Sequence, residues 1–261
     1  MSDEKKYKIN EIFYSLQGEG IRTGTANIFV RFSNCNMKCA EEAGPKSPGG
    51  FDCDTEFESG RMLTLEEIEN DILDLLEEYD DDGELAAARK CTELVPEAKI
   101  SVKDKWMILT GGEPGLQATP EFCIYFRSRG WKLAIETNGS LLVAHTAGAY
   151  RHEHSLKTIA NYLTRYGRYE TLKLFYFDWI TVSPKVAEHA IRQPVAHEVK
   201  YVRGHGQALP KTVVDAKYRL ISPAFNGLSV DRKALDWCLK LVKENPTWRL
   251  SPQMHKLWKA R

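Results

Sequence analysis

The fold class predicted by the sequence is α/β, laid out as an incomplete (β/α) barrel of TIM type with about six repeats. Three observations predict it. Segments of strand character are followed by polar loops and amphipathic helices, about six times over. Glycine and polar residues collect where the strands end, in Thr110-Gly111-Gly112-Glu113-Pro114, Thr137-Asn138-Gly139-Ser140 and Ser183-Pro184-Lys185. A barrel that keeps its site on one face has this layout. No linker-like stretch divides the 261 residues, so residues 1–261 read as one domain. Fewer than eight repeats point to a splayed barrel rather than a closed ring.

The elements follow in chain order. Tyr7–Leu16 mixes aromatic and β-branched residues as a first strand would, and it runs into Gln17-Gly18-Glu19-Gly20. Two glycines around a glutamate predict a tight turn that exposes polar groups. Asn27–Phe32 reads as the second strand. On it Arg31 shares a face with Phe29 and is flanked by apolar residues, so it needs an anion. A structural salt bridge and a ligand carboxylate are both open. Thr64-Leu65-Glu66-Glu67 is a capping box. The helix it opens carries Leu65, Ile68, Ile72, Leu75, Leu76 and Tyr79 as an inward stripe. Further strands are predicted at 105–109, 131–136, 177–182, 198–202 and 217–221, and helices at 120–129, 155–166 and 231–244. The last stretch, Trp248–Leu250, leads into Ser251-Pro252-Gln253-Met254-His255-Lys256.

Composition narrows the function. Lysine plus arginine and aspartate plus glutamate each number 36. That balance argues against a broad nucleic-acid-binding surface, so no direct nucleic-acid partner is expected. The start MSDEKKYK is too polar for a signal peptide, and no run has transmembrane length. The expected compartment is the cytoplasm, with no membrane partner.

Half of the six cysteines lie in one stretch, Cys35–Thr55. Three residues separate Cys35 from Cys39, and thirteen separate Cys39 from Cys53. The loop between them is rich in glycine and proline. On spacing alone three free thiols, a zinc site and an iron–sulfur site all remain open. A structural zinc site prefers two cysteine pairs, and only one is present. His145, His152 and His154 could complete a zinc site but are distant in sequence. Three thiolates suit a cluster that leaves one iron open. Cys91, Cys123 and Cys238 are scattered and read as buried or incidental thiols.

Several further motifs, in order, complete the picture: Glu11–Gly20, Arg31-Phe32 before Cys35-Asn36, Cys53-Asp54-Thr55, Thr110–Pro114, Glu136–Gly139, Trp179–Lys185, Glu198-Val199-Lys200 and Trp248–Lys256. Together the chain resembles the radical S-adenosylmethionine enzymes, and among them the 7-carboxy-7-deazaguanine synthases. The resemblance spans nearly the whole chain. It departs from the pattern at one place. The superfamily spaces its cysteines C-x3-C-x2-C, whereas here the third is displaced to Cys53 and Gly50 stands where enlarged-loop members have their middle cysteine.

The resemblance implies a [4Fe-4S] cluster on Cys35, Cys39 and Cys53, with S-adenosylmethionine on its open iron. It implies a flavodoxin- or ferredoxin-like electron donor and a homodimer. The substrate implied is 6-carboxy-5,6,7,8-tetrahydropterin, whose ring contracts with loss of ammonia to 7-carboxy-7-deazaguanine, a precursor of queuosine and related 7-deazapurines. By the same resemblance Gly111, Gly112 and Glu113 meet the methionine end of the cofactor. Asn138, Ser183, Pro184 and Lys185 meet its nucleoside end. Leu16, Gln17, Gly18 and Glu19 frame the pterin, Arg31 takes its carboxylate, and Thr110 lies between the two ligands. Thr55 is the expected ligand of Mg2+. Gln253 and His255 close the pocket. The rival in the superfamily, a glycyl-radical activase, would want additional clustered cysteines. A zinc-bearing binding module is the non-enzymatic rival.

Overall fold

The computed structural model describes residues 4–37, 56–83, 85, 89–90, 105–143 and 177–260. Cys39, Cys53, Thr55, Cys91, the three distant histidines and the predicted 155–166 helix lie outside them.

Among the described residues nine strands form one open mixed sheet in the order β11-β8-β7-β6-β5-β4-β2-β1-β3. Its parallel part comprises β2 (Ala26–Phe32), β4 (Trp106–Gly111), β5 (Lys132–Thr137), β6 (Trp179–Val182), β7 (Val195–Arg203), β8 (Asp215–Pro223) and β11 (Trp248–Leu250). β1 (Tyr7–Leu16) runs antiparallel to β2, and β3 (Arg61–Leu63) antiparallel to β1. β9 (Phe225–Asn226) and β10 (Ser229–Val230) make a separate small hairpin. The expected strands are all present among the described residues. β3 was not expected, because three residues carry no readable pattern without the β1 edge to pair with.

The helical half is less regular than six strand–loop–helix repeats. α1 (Leu65–Glu77), α2 (Pro120–Arg127) and α3 (Arg232–Glu244) are regular connections, and α4 (Met254–Trp258) is a short turn near the end. The connections 183–194 and 204–214 carry no α-helix. The first holds only a 3-10 turn, Glu188–Ala190, and Gly204, Gly206 and Pro210 disfavour a helical hydrogen-bond ladder in the second.

Local chemistry explains the helices that do form. Thr64 and Glu67 satisfy each other's backbone amides in a complete capping box at the start of α1. Ile68, Ile72, Leu73 and Leu76 are buried there. Tyr79 is a correction: the helix ends at Glu77, before the stripe reaches it, and Tyr79 is 61% exposed with its ring edge-on to Tyr14. Thr119 caps α2 with Pro120 in its first turn, and Asp231 caps α3.

One face of the sheet packs on the helices through a large core that includes Val30, Phe32, Met107, Leu109, Phe122, Leu133, Ile135 and Val182. Cys123 and Cys238 lie in it as free thiols, and burial raises both, Cys123 to about 12 and Cys238 to about 11. Alternation sends Phe29, Ile108 and Ala134 to the other face, where they meet Phe13 and the partly buried Trp106 and Trp179. Phe13 and Phe29 stack with centroids 4.9 Å apart. Among the described residues no helix is long and apolar enough to cross a membrane.

Candidate active site

The crevice lies at the carboxyl ends of β2, β4, β5, β6 and β7, and its polar residues fall into two groups. The first surrounds Cys35. β2 ends at Phe32, and Asn34 turns through the left-handed region (φ 71°) to present Cys35. Asn34 accepts from Glu113 N at 2.9 Å and donates to Phe57 O at 2.7 Å. Gly112 packs against this turn so closely that a side chain there would overlap Asn34 O and come within 3.1 Å of Cys35 Cβ. Gly111, at φ +118°, is equally tight against Phe32.

Asn138 links Cys35 to β5. Its Nδ2 donates to Asn36 Oδ1 at 3.0 Å and lies 4.0 Å from Cys35 Sγ. Ser183 N donates to Thr137 O, and Lys185 N to Asn138 O, so the expected nucleoside-end residues gather on the same ledge. Pro184 stands between them, half-buried.

Glu113 organises this ledge from beneath. Fully buried, its carboxylate accepts from Gly115 N, Thr137 Oγ1 and Asn138 N, each at 2.8 Å. Burial raises its carboxyl above the ordinary value, and the three donors oppose that rise.

The second group surrounds the turn after β1. Gln17 is buried, donates through Nε2 to Glu136 Oε1 at 2.9 Å and accepts from Glu19 N at 3.1 Å. Glu136 also accepts from Thr110 Oγ1 at 3.1 Å. Leu16, at the end of β1, is 40% exposed. Arg31 pairs in register with Thr110 across β2 and β4 and with Glu11 across β1. Its Nε is 3.7 Å from Glu11 Oε2 and donates no hydrogen bond, although the atom is buried. The salt bridge left open by the sequence therefore exists, but it is long. Gly18 O accepts from Met254 N at 2.8 Å, and His255 lies against Gly18, where a Cβ would be 2.5 Å from His255 Cβ. Gln253 sits at the start of α4 beside them.

β7 and the segment after β11 add residues that the sequence did not single out as site residues. Glu198, 3% exposed, accepts from Ile21 N at 2.9 Å and Thr181 Oγ1 at 2.8 Å. A Cβ on Gly20 would come within 2.8 Å of Glu198 Oε2. Burial raises the Glu198 carboxyl, against the hydrogen bonds from Ile21 and Thr181. Lys200 pairs with Glu19 in near-complete burial, their side chains 11% and 13% exposed. Burial lowers the Lys200 ammonium to about 8. Ser251 Oγ accepts from Gly20 N at 2.8 Å. Arg22 stacks 3.6 Å from the Trp106 ring, and burial lowers it to about 10 despite Glu198 and Glu136 nearby. One signal in the sequence could have exposed the β7 pair: Glu198 and Lys200 flank Val199, which puts two charges on the strand face they share with the apolar Ala196 and Val202.

The two groups meet on adjacent residues. Thr110 donates to Glu136, which holds the turn, while Gly112, two residues on, packs against Asn34 and Cys35. Glu136 binds Gln17, while Asn138 reaches Cys35. A thiol on one side and a carboxylate-rich turn on the other give the site two chemically distinct halves. Among the described residues no three metal-ligating side chains cluster, since two of the three expected thiols lie outside them.

Comparison with known proteins decides the family. No family model matches the chain. A 7-carboxy-7-deazaguanine synthase of Burkholderia multivorans is 30% identical over 260 residues, covering 96% of this chain and 97% of the relative. The chain belongs to the 7-carboxy-7-deazaguanine synthase family. A relative of the same name from Bradyrhizobium diazoefficiens is 29% identical over 255 residues, with 96% and 97% covered. In three dimensions the chain resembles the crystal structure of QueE from Escherichia coli, with a TM-score of 0.53 and 19% identity over 96% of this chain and 95% of that one. That likeness bears on the fold: a mixed α/β architecture around a largely parallel sheet.

Proposed function

We infer that the chain is a 7-carboxy-7-deazaguanine synthase, converting 6-carboxy-5,6,7,8-tetrahydropterin to 7-carboxy-7-deazaguanine with loss of ammonia. The observation that carries this is the end-to-end match to synthases of that name, at 30% identity with 97% of the relative covered. The open sheet fits a partial (β/α) barrel of the radical S-adenosylmethionine type.

The donor set suits a cluster and its cofactor as far as it is described. Cys35 is a half-buried thiol at the edge of the crevice, on a turn fixed by Glu113 N, with Asn138 at its sulfur. Cys39 and Cys53 are proposed as the other two thiolates. A [4Fe-4S] cluster with S-adenosylmethionine, when bound, supplies a 5'-deoxyadenosyl radical. The chain's own residues do the rest by position. Gly111 and Gly112 admit the methionine end close to the backbone, and Asn138, Ser183, Pro184 and Lys185 receive the nucleoside. Glu113 holds this wall together through its three hydrogen bonds. Gln17 and Glu19, with Leu16 and Gly18, offer amide and carboxylate groups to the alternating donors and acceptors of the pterin edge. Arg31, whose buried Nε has only the long Glu11 contact and donates no hydrogen bond among the described residues, is suited to the substrate carboxylate. Thr110 contacts both ligands, Thr55 binds Mg2+, and Gln253 and His255 close the crevice. A flavodoxin- or ferredoxin-like donor, a homodimeric state and a cytoplasmic location complete the proposal.

The test is an anaerobic assay of protein reconstituted with iron and sulfide, given S-adenosylmethionine, Mg2+, a reductant and the tetrahydropterin. Mass spectrometry should find 7-carboxy-7-deazaguanine, and Cys53→Ala should abolish it. Cofactor cleavage without that product would discard the substrate. A colourless, zinc-bearing protein would discard the radical chemistry.

A further inference from the structure

We propose that Lys200 is a positioning residue for the substrate wall: it sets the carboxylate of Glu19, while Glu198, two residues before it on β7, sets the turn's backbone. This rests on the reading above that the Gln17–Gly20 turn meets the pterin.

The geometry separates the two tasks. Gly18 O is held by Met254 N, Gly20 N by Ser251 Oγ and Ile21 N by Glu198. Glu19 N is held by the Gln17 side chain. The backbone on both sides of Glu19 is therefore fixed without Lys200. What these bonds leave undetermined is the direction of the Glu19 carboxylate, and that is the group Lys200 pairs with. Both side chains are nearly buried, so neither can trade its partner for water. A buried ion pair is a weak source of net stability, because desolvation offsets most of the attraction. Its stronger consequence is orientation: a carboxylate locked by a cation from another strand arrives at the substrate already aimed. Gly20 belongs to the same device. At φ +76° and with Glu198 Oε2 2.8 Å from where a Cβ would be, it lets Glu198 approach the turn.

Calorimetric binding of the tetrahydropterin, under anaerobic conditions and with cluster and S-adenosylmethionine in place, tests this with four variants. Glu19→Gln and Lys200→Met should each weaken pterin binding about tenfold, and the double variant should lose no more than about threefold beyond either alone, because one pathway is removed once. Affinity for S-adenosylmethionine should stay at the wild-type value in all of them. Additive losses, about a hundredfold in the double variant, would show that Lys200 acts independently of Glu19 and overturn the proposal. So would unchanged pterin binding in Lys200→Met. If circular dichroism shows Lys200→Met unfolded, Lys200→Arg carries the test: it keeps the charge and should bind within about threefold of wild type, whereas a loss as large as that of Glu19→Gln would contradict the pairing. Failure of the wild-type protein to bind the pterin would instead remove the functional reading beneath the proposal.

Discussion

The two walls of the crevice are built by different means. On the Cys35 wall close backbone contacts dominate: Gly111 and Gly112 press against Phe32 and Asn34 where no side chain fits, and the fully buried Glu113 holds Asn34 O through its amide and Thr137 and Asn138 through its carboxylate. On the opposite wall charged side chains do it: Glu198, Glu136 and the Glu19–Lys200 pair reach across strands to hold one turn. A wall made of close backbone contacts has little tolerance for added volume. A wall made of hydrogen bonds and ion pairs tolerates volume better but responds to charge and pH. Substitutions should separate the two accordingly.

The largest effect is expected from Gly112→Ala. The new methyl would overlap Asn34 O and crowd Cys35 Cβ, and a displacement of about 1 Å at a reacting group can cost about a hundredfold in rate. Iron content and the visible absorbance of the reconstituted protein should fall with activity. Full iron and full activity would show that the wall yields.

Glu113→Ala comes next. It strands the donors of Gly115, Thr137 and Asn138 in a buried site, and a loss of about 3 kcal/mol or more in chemical denaturation is expected. A loss below about 1 kcal/mol would mean that water replaces the carboxylate freely.

On the charged wall the effect is smaller and depends on pH. The Glu198 carboxyl is raised by burial above its ordinary value of 4.5. A carboxyl raised in the folded state contributes stability that is fully present below its unfolded value and is lost as pH rises through its folded value. Glu198→Gln keeps an acceptor for Ile21 N and places an amide donor where Thr181 Oγ1 now donates, a reversal the hydroxyl accommodates by accepting, while removing the titration. Measured by thermal melting from acid to neutral pH, the variant should gain on the wild type as pH rises through that window. A constant difference would mean that Glu198 does not titrate there.

The smallest effect lies away from the crevice and serves as its control. Thr64→Ala removes the α1 cap, so stability should fall by about 1 kcal/mol with cofactor and pterin affinities unchanged.

How much of this was legible in the sequence follows from the same contrast. The strands announced themselves by composition, and the cap at Thr64 by its spacing to Glu67. The glycines at 111 and 112 stood out because glycine at a strand end implies close approach. The open sheet, the helix-free connections after β6 and β7 and the pairing of β3 depend on how distant segments meet, and no local pattern encodes that. Glu113 carried a motif, but not its full burial under three hydrogen bonds. Glu198 and Lys200 lie some 180 residues from the turn they hold, so their charges were visible on β7 while their partners were not.

The division of labour between the walls can be tested in one measurement: paired affinities for S-adenosylmethionine and the tetrahydropterin in anaerobic, reconstituted Asn138→Ala and Gln17→Ala proteins. Asn138→Ala should weaken the cofactor about tenfold or more and leave intrinsic pterin affinity near wild type, and Gln17→Ala should do the reverse, since each loses a buried polar contact on one wall only. Losses of both ligands in both variants, to similar extents, would contradict two separable walls and return the crevice to a single undivided site.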